Sequence, residues 1–145
     1  MKYVINNKNS KCDYNLIFIY KDNLSNAVRI IGKGVLCDDL KSAIDQNIVT
    51  GKAGSSNVFS SKLYEKNYVF VGLGDKNKLS IQVFEKCLYS ALKTINGYNI
   101  SSISIDLTNI IIKNYNIIKG SIIEIERTQY NFKNSENYKL KECSL

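Results

Sequence analysis

The stretch YVFVGLGDKNKLS, Tyr68 to Ser80, limits the folds open to this chain more than any other. It begins as a continuous apolar run, turns on Gly72 and Gly74, and passes into a helical pattern capped by Ser80. A fully apolar run of this length reads as a strand buried on both faces, which requires helices above and below it. Strand, glycine turn, helix is also the layout of many phosphate-binding loops. The stretch therefore asks whether its glycines cradle a phosphate or only turn the chain.

The surrounding pattern completes an α/β domain. Strands are expected at Lys2–Asn6, Leu16–Tyr20, Tyr68–Leu73 and Ile100–Leu107. Apolar spacing predicts helices over Leu36–Ile44, from Ile81 to Ile95 and over Asn109–Arg127. Gly97 suits a left-handed cap on the middle helix. Asn26–Lys33 fits neither period cleanly. Ile48–Thr50 and Asn57–Ser61 flank GKAGSS and read as a hairpin. The order of elements implies right-handed crossovers and a mixed, mostly parallel sheet flanked by helices, in three layers. With 145 residues and no linker-like segment, residues 1–145 form one domain. Residues from about 133 onward read as the start of a linker or as an edge strand.

Several chemistries lack their residues. The chain has no histidine, which removes Ser-His and Cys-His pairs. Cys12, Cys37, Cys87 and Cys143 form no C-x-x-C pair; scattered thiols suit a reducing cytoplasm, and Cys87 lies on an apolar helix face. The N-terminus carries no signal-peptide core, and no segment is apolar enough to span a bilayer. Asp38 and Asp39 adjoin, Asp45, Asp75 and Asp106 stand apart, and Glu124 and Glu126 are two positions apart, so no carboxylate pair is set for metal or acid–base work. Asp106, near the end of a strand, is the carboxylate best placed for a ligand, but capping the helix expected from Asn109 accounts for it better.

The glycine turn does not complete a dinucleotide fingerprint, since Asn77 stands where the third glycine belongs. GKAGSS does not complete a P-loop: Ala53 follows Lys52, and Gln46 occupies the upstream glycine position. A net charge of +7 leaves a polyanion surface open, with Lys62, Lys66, Lys76 and Lys78 as its residues near the hairpin and turn. A general bias toward Asn, Ile and Lys accounts for the same charge.

VFVGLGDKNKLS followed by an amphipathic helix resembles the N-terminal domain of the leucyl (cytosol) aminopeptidase family, whose strand ends in V-G-L-G before a lysine-containing turn. Thr50–Ser55 is similar to that family's F-x-G-K-x-G hairpin, Leu36–Ile44 to its short preceding helix, and Tyr130-Asn131-Phe132 to its Y-x-F segment. Ile48 or Val49 replaces the aromatic before the hairpin glycine, Glu124 replaces a glycine, and the Y-K step is displaced to Tyr138-Lys139. The resemblance implies a macro-domain-like fold. It places catalysis in a separate C-terminal domain with two zinc or manganese ions and an N-T-D-A-E-G-R motif, which this sequence lacks. It therefore implies a non-catalytic domain for assembly or regulation. No catalytic, cofactor-binding or metal-ligating residue is assigned, and the partner expected is a catalytic aminopeptidase domain or other subunits. The alternatives are a nucleotide or ADP-ribose binding module and a basic DNA-binding domain.

Overall fold

A computed structural model of the chain describes residues 2–4, 12–98, 101–132 and 142–145. The strands are β1 (Lys2–Val4), β2 (Tyr14–Ile19), β3 (Ser56–Phe59), β4 (Tyr68–Gly72), β5 (Ser102–Asp106) and β6 (Glu142–Ser144). The α-helices are α1 (Leu24–Ile31), α2 (Val35–Asp45), α3 (Ile81–Asn96) and α4 (Ile117–Phe132). The strands form one sheet in the order β1-β6-β5-β2-β4-β3. All neighbours are parallel except β3 and β4, so the sheet is mixed and mostly parallel, as the sequence implies.

Alternation along β2 builds two cores. Tyr14, Leu16 and Phe18 point to one face with Val69, Val71, Ile103 and Ile105, where Phe84, Leu88 and Leu92 of α3 and Ile125 of α4 cover them. Ile17, Ile19 and Phe70 point to the other face, against Ala27 of α1, Leu40 and Ala43 of α2, and Val49. Phe18 meets Phe84 with ring centroids 5.5 Å apart, and the edge of one ring meets the face of the other between Phe59 and Phe70 at 5.3 Å. Each fully buried side chain of this size contributes about 1.5–3 kcal/mol. The second layer is partial. It draws on β2, β3 and β4, whereas the matching face of β5 carries Ser102, Ser104 and Asp106, all half-buried.

Several elements differ from the sequence reading. Ile48–Thr50 is not a strand: the Ile48 and Val49 amides donate to the Ala43 carbonyl at 2.8 and 3.2 Å, closing the last turn of α2 around Asn47 in the left-handed region. The hairpin partner of β3 is β4. Asn26–Lys33 lies mostly in α1, whose Leu24, Val28 and Ile31 pack into the second core. α3 begins as expected, with the Ser80 hydroxyl accepting from the Val83 amide at 3.2 Å, but Gly97 at its end has right-handed φ of −72°. α4 starts at Ile117, not near Asn109, because turns at Leu107–Ile110 and Ile112–Tyr115 come first. The Asn116 side chain then accepts from the Lys119 amide at 3.0 Å and caps the helix. β6 lies between β5 and β1, so the last strand is interior and β1 is the edge. The linker residues 133–141 and Tyr138-Lys139 lie outside the described residues.

Candidate functional site

Open α/β sheets bind ligands beyond the carboxyl ends of their parallel strands. Here that region receives the end of β2, the Gly72–Gly74 turn after β4, the Gly51–Ser55 loop, and the segment after β5. The loop lies across the turn like a strap. The Gly72 amide donates to the Ser55 carbonyl at 2.8 Å, the Leu73 amide to Ile19 at 2.9 Å, and the Gly74 amide to Gly51 at 2.8 Å. In return, the Gly54 amide donates to the Gly72 carbonyl at 3.1 Å and the Lys21 amide to Gly74 at 2.9 Å. The Ser90 hydroxyl of α3 holds the Gly54 carbonyl at 3.1 Å.

The glycines are there because backbones touch. A Cβ at Gly72 would strike the Lys52 carbonyl oxygen and the Ser55 hydroxyl and come within 2.7 Å of the Gly51 carbonyl carbon. Gly51 has φ of +70°, and a Cβ there would lie 2.8 Å from the Lys21 backbone. A phosphate cradle needs free amides, and the three successive amides of this turn already have partners within the chain.

The carboxylates of interest are not brought together. Asp106 accepts from the Thr108 amide at 3.0 Å and its hydroxyl at 2.6 Å, which makes it a turn anchor. Asp75 pairs with Lys78 at 3.6 Å. Asp38 and Asp45 lie exposed on α2; Asp39 accepts from the Tyr64 hydroxyl at 2.5 Å, and that bond leads the causes pushing the Tyr64 phenol up to about 12. Glu124 is buried and Glu126 exposed on α4. Among the described residues, no three of Asp, Glu and Cys gather to hold a metal ion. Cys37 and Cys87 are buried in α2 and α3, and burial pushes the Cys87 thiol up, consistent with a core role.

The lysines near the hairpin and turn flank β4. Lys62 and Lys66 precede β4 and Lys76 and Lys78 follow it. The Lys76 ammonium sits 5.9 Å from the centre of the Tyr20 ring, whose hydroxyl donates to the Asn109 carbonyl at 3.3 Å.

A second polar assembly, at the amino ends of the strands, has no sequence signature. Asp13 accepts from the Ser101 and Ser102 amides at 2.7 and 3.0 Å and from the Ser101 hydroxyl at 3.1 Å. Its own amide donates to the Ser102 hydroxyl at 3.0 Å, and its carbonyl accepts from the Asn67 side chain at 3.3 Å. Asn15 donates from its backbone and side-chain amides to the Asn67 carbonyl, both at 3.0 Å. The clamp joins the starts of β2, β4 and β5. Nearby, Tyr14, Val58, Val69, Ile95 and Tyr98 line a shallow apolar dent.

A three-layer sheet of this kind is shared with the macrodomains. The Oceanobacillus iheyensis macrodomain superposes with a TM-score of 0.65 at 14% identity, covering 99% of this chain and 82% of that one. The Mycobacterium tuberculosis DarG macrodomain gives 0.61 at 10%, covering 98% and 97%. Tomato leucine aminopeptidase gives 0.64 at 12%, covering 99% of this chain and 32% of that one. At these identities the likeness shows the fold.

The sequence profile of the cytosol aminopeptidase family, N-terminal domain, matches residues 17–139. The chain belongs to that family. A probable cytosol aminopeptidase of Buchnera aphidicola subsp. Schizaphis graminum is 29% identical over 104 residues, 68% of this chain. The match covers 21% of that relative's length, about a fifth. Among the described residues, no helix is long and apolar enough to cross a membrane.

Proposed function

We propose that this chain is a non-catalytic, cytoplasmic N-terminal domain of an aminopeptidase, serving assembly or regulation. Its partner is a catalytic aminopeptidase domain or another subunit, and it carries no cofactor of its own. The observation that carries this reading is the strap. At the carboxyl end of β4, where this architecture would take a ligand, the amides of the glycine turn are taken up by the chain's own backbone. The domain therefore offers its outer surfaces for packing.

Two measurements test it. The pure chain should show no turnover of Leu-p-nitroanilide with added zinc or manganese, and metal-dependent hydrolysis would overturn the reading. Co-expression with the catalytic domain of a cytosol aminopeptidase that lacks its own N-terminal domain should yield a complex that survives size exclusion. Separate elution of the two would remove the assembly role.

The shared macrodomain fold gives the ADP-ribose reading its support, and the strap opposes it. Calorimetry with millimolar ADP-ribose should give no heat; saturable heat would favour this second reading.

A further inference from the structure

We propose that the outer edge of β3 is a strand-addition site, which takes an extended, acid-flanked segment of another protein with apolar side chains at alternate positions. β3 pairs with β4 on one side, and among the described residues no strand lies on its other side. An edge strand presents amide and carbonyl groups that an incoming strand can pair. Sheet edges are commonly blunted by charge or proline, and β3, with the sequence SNVF, carries neither.

Apolar surface flanks this edge on both faces of the sheet. On the face covered by α3, Val58 of β3 lines the dent with Tyr14, Val69, Ile95 and Tyr98, and Tyr98 is 45% exposed. On the face covered by α2, the Asn57 side chain donates to the Ile48 carbonyl at 3.2 Å, which seats Ile48, 57% exposed, beside the strand. Just past β3, the Tyr64 hydroxyl donates to Asp39 of α2 and ties down the loop that carries the exposed Leu63. Successive side chains of an added strand point to opposite faces, so one set meets the dent and the other meets Ile48. A helix satisfies its own backbone groups and lacks this alternation, so the occupant is extended.

Charge selects the partner. The loop after β3 exposes Lys62 and Lys66 against Glu65, and the loop before it exposes Lys52. Antiparallel pairing with a second copy would set the end of one β3 against the start of the other, turning Lys62 toward Lys52 between two molecules of net charge +7. Acidic residues at the ends of an incoming strand meet these lysines with the opposite sign.

A peptide added in trans needs no catalytic domain, so this inference goes beyond the assembly reading. Nitrogen-15 spectra of the whole chain, titrated with the peptide E-E-V-T-V-T-V-E-E, should show saturable shifts centred on the Ser56–Phe59 amides, with slower hydrogen exchange there. The peptide K-K-V-T-V-T-V-K-K should bind about tenfold more weakly, the scale of a few surface charge contacts. The peptide E-E-V-P-P-T-V-E-E, whose adjacent prolines break either pairing register, should leave those amides unmoved. Tyr98→Ser and Ile48→Asn, both at exposed positions, should each weaken binding several-fold. Three results would each overturn the proposal: no shift at millimolar acidic peptide, equal binding of the proline or the basic peptide, or a dimer of the chain alone with its β3 amides already protected. All three are read on the unaltered chain, so a variant that does not fold leaves the test standing. A complex in the co-expression experiment with no β3 response here would remove the edge site and leave the assembly role intact.

Discussion

Gly72 shows how a single hydrogen atom in place of a side chain governs the candidate site. The sequence reading explains this glycine by a tight turn. Its φ lies outside the left-handed region, and the constraint is the strap crossing it on the second-core side, beside Ile19. Gly74, with φ of +77°, is the position that makes the turn left-handed. The two glycines thus have different physical roles, and a one-dimensional motif does not separate them. Gly72→Ala must displace backbone atoms of residues 51–55, so it should cost about 2 kcal/mol or more, at the upper end of overpacking. Gly54→Ala meets open space and faces only the strain of its +83° φ, about 1 kcal/mol. Urea unfolding of the two variants measures the contrast; equal losses would mean that the strap yields freely.

At the scale of elements, the legible parts were those whose cause is local. β4 and α3 follow from an apolar run and an apolar stripe, and the Ser80 cap from its own side chain. What escaped was set by distant partners. The amides of Ile48 and Val49 are drawn back to α2, and Ile110 and Ile112 take part in turns before Asn116 caps α4. For the candidate site, the glycine turn was visible and its closure was not, since the strap lies about twenty residues upstream. The Asp13 clamp, linking strands from three parts of the chain, was equally invisible. It also predicts a pH response. Desolvation raises the Asp13 carboxyl, but the donors from Ser101 and Ser102 outweigh it and leave the group below its ordinary 3.8. Its contribution is therefore present above about pH 4 and is lost as acid protonates the folded state. Asp13→Asn should lower the melting temperature at neutral pH and flatten its fall below about pH 4; an unchanged acid limb would show that the clamp carries no such linkage.

The whole molecule is a family domain whose sheet is open in one sense and closed in another. Its face over β5 is polar, while the turn at the carboxyl end of β4 is held by the strap. The strand order also joins the extremes of the chain, since β1 pairs with β6 and no other strand. Truncation before Glu142 should accordingly remove hydrogen-exchange protection from the Lys2–Val4 amides while leaving the β2–β4 amides protected. Loss of protection across the entire sheet would instead make β6 a keystone. This pairing sets an order of birth. Residues 2–4 are made before their hydrogen-bonding partner, which follows some 140 residues later, roughly 7–30 seconds at about 5–20 residues per second. Until residues 142–144 are made, β1 lacks the one strand it pairs with in the finished sheet.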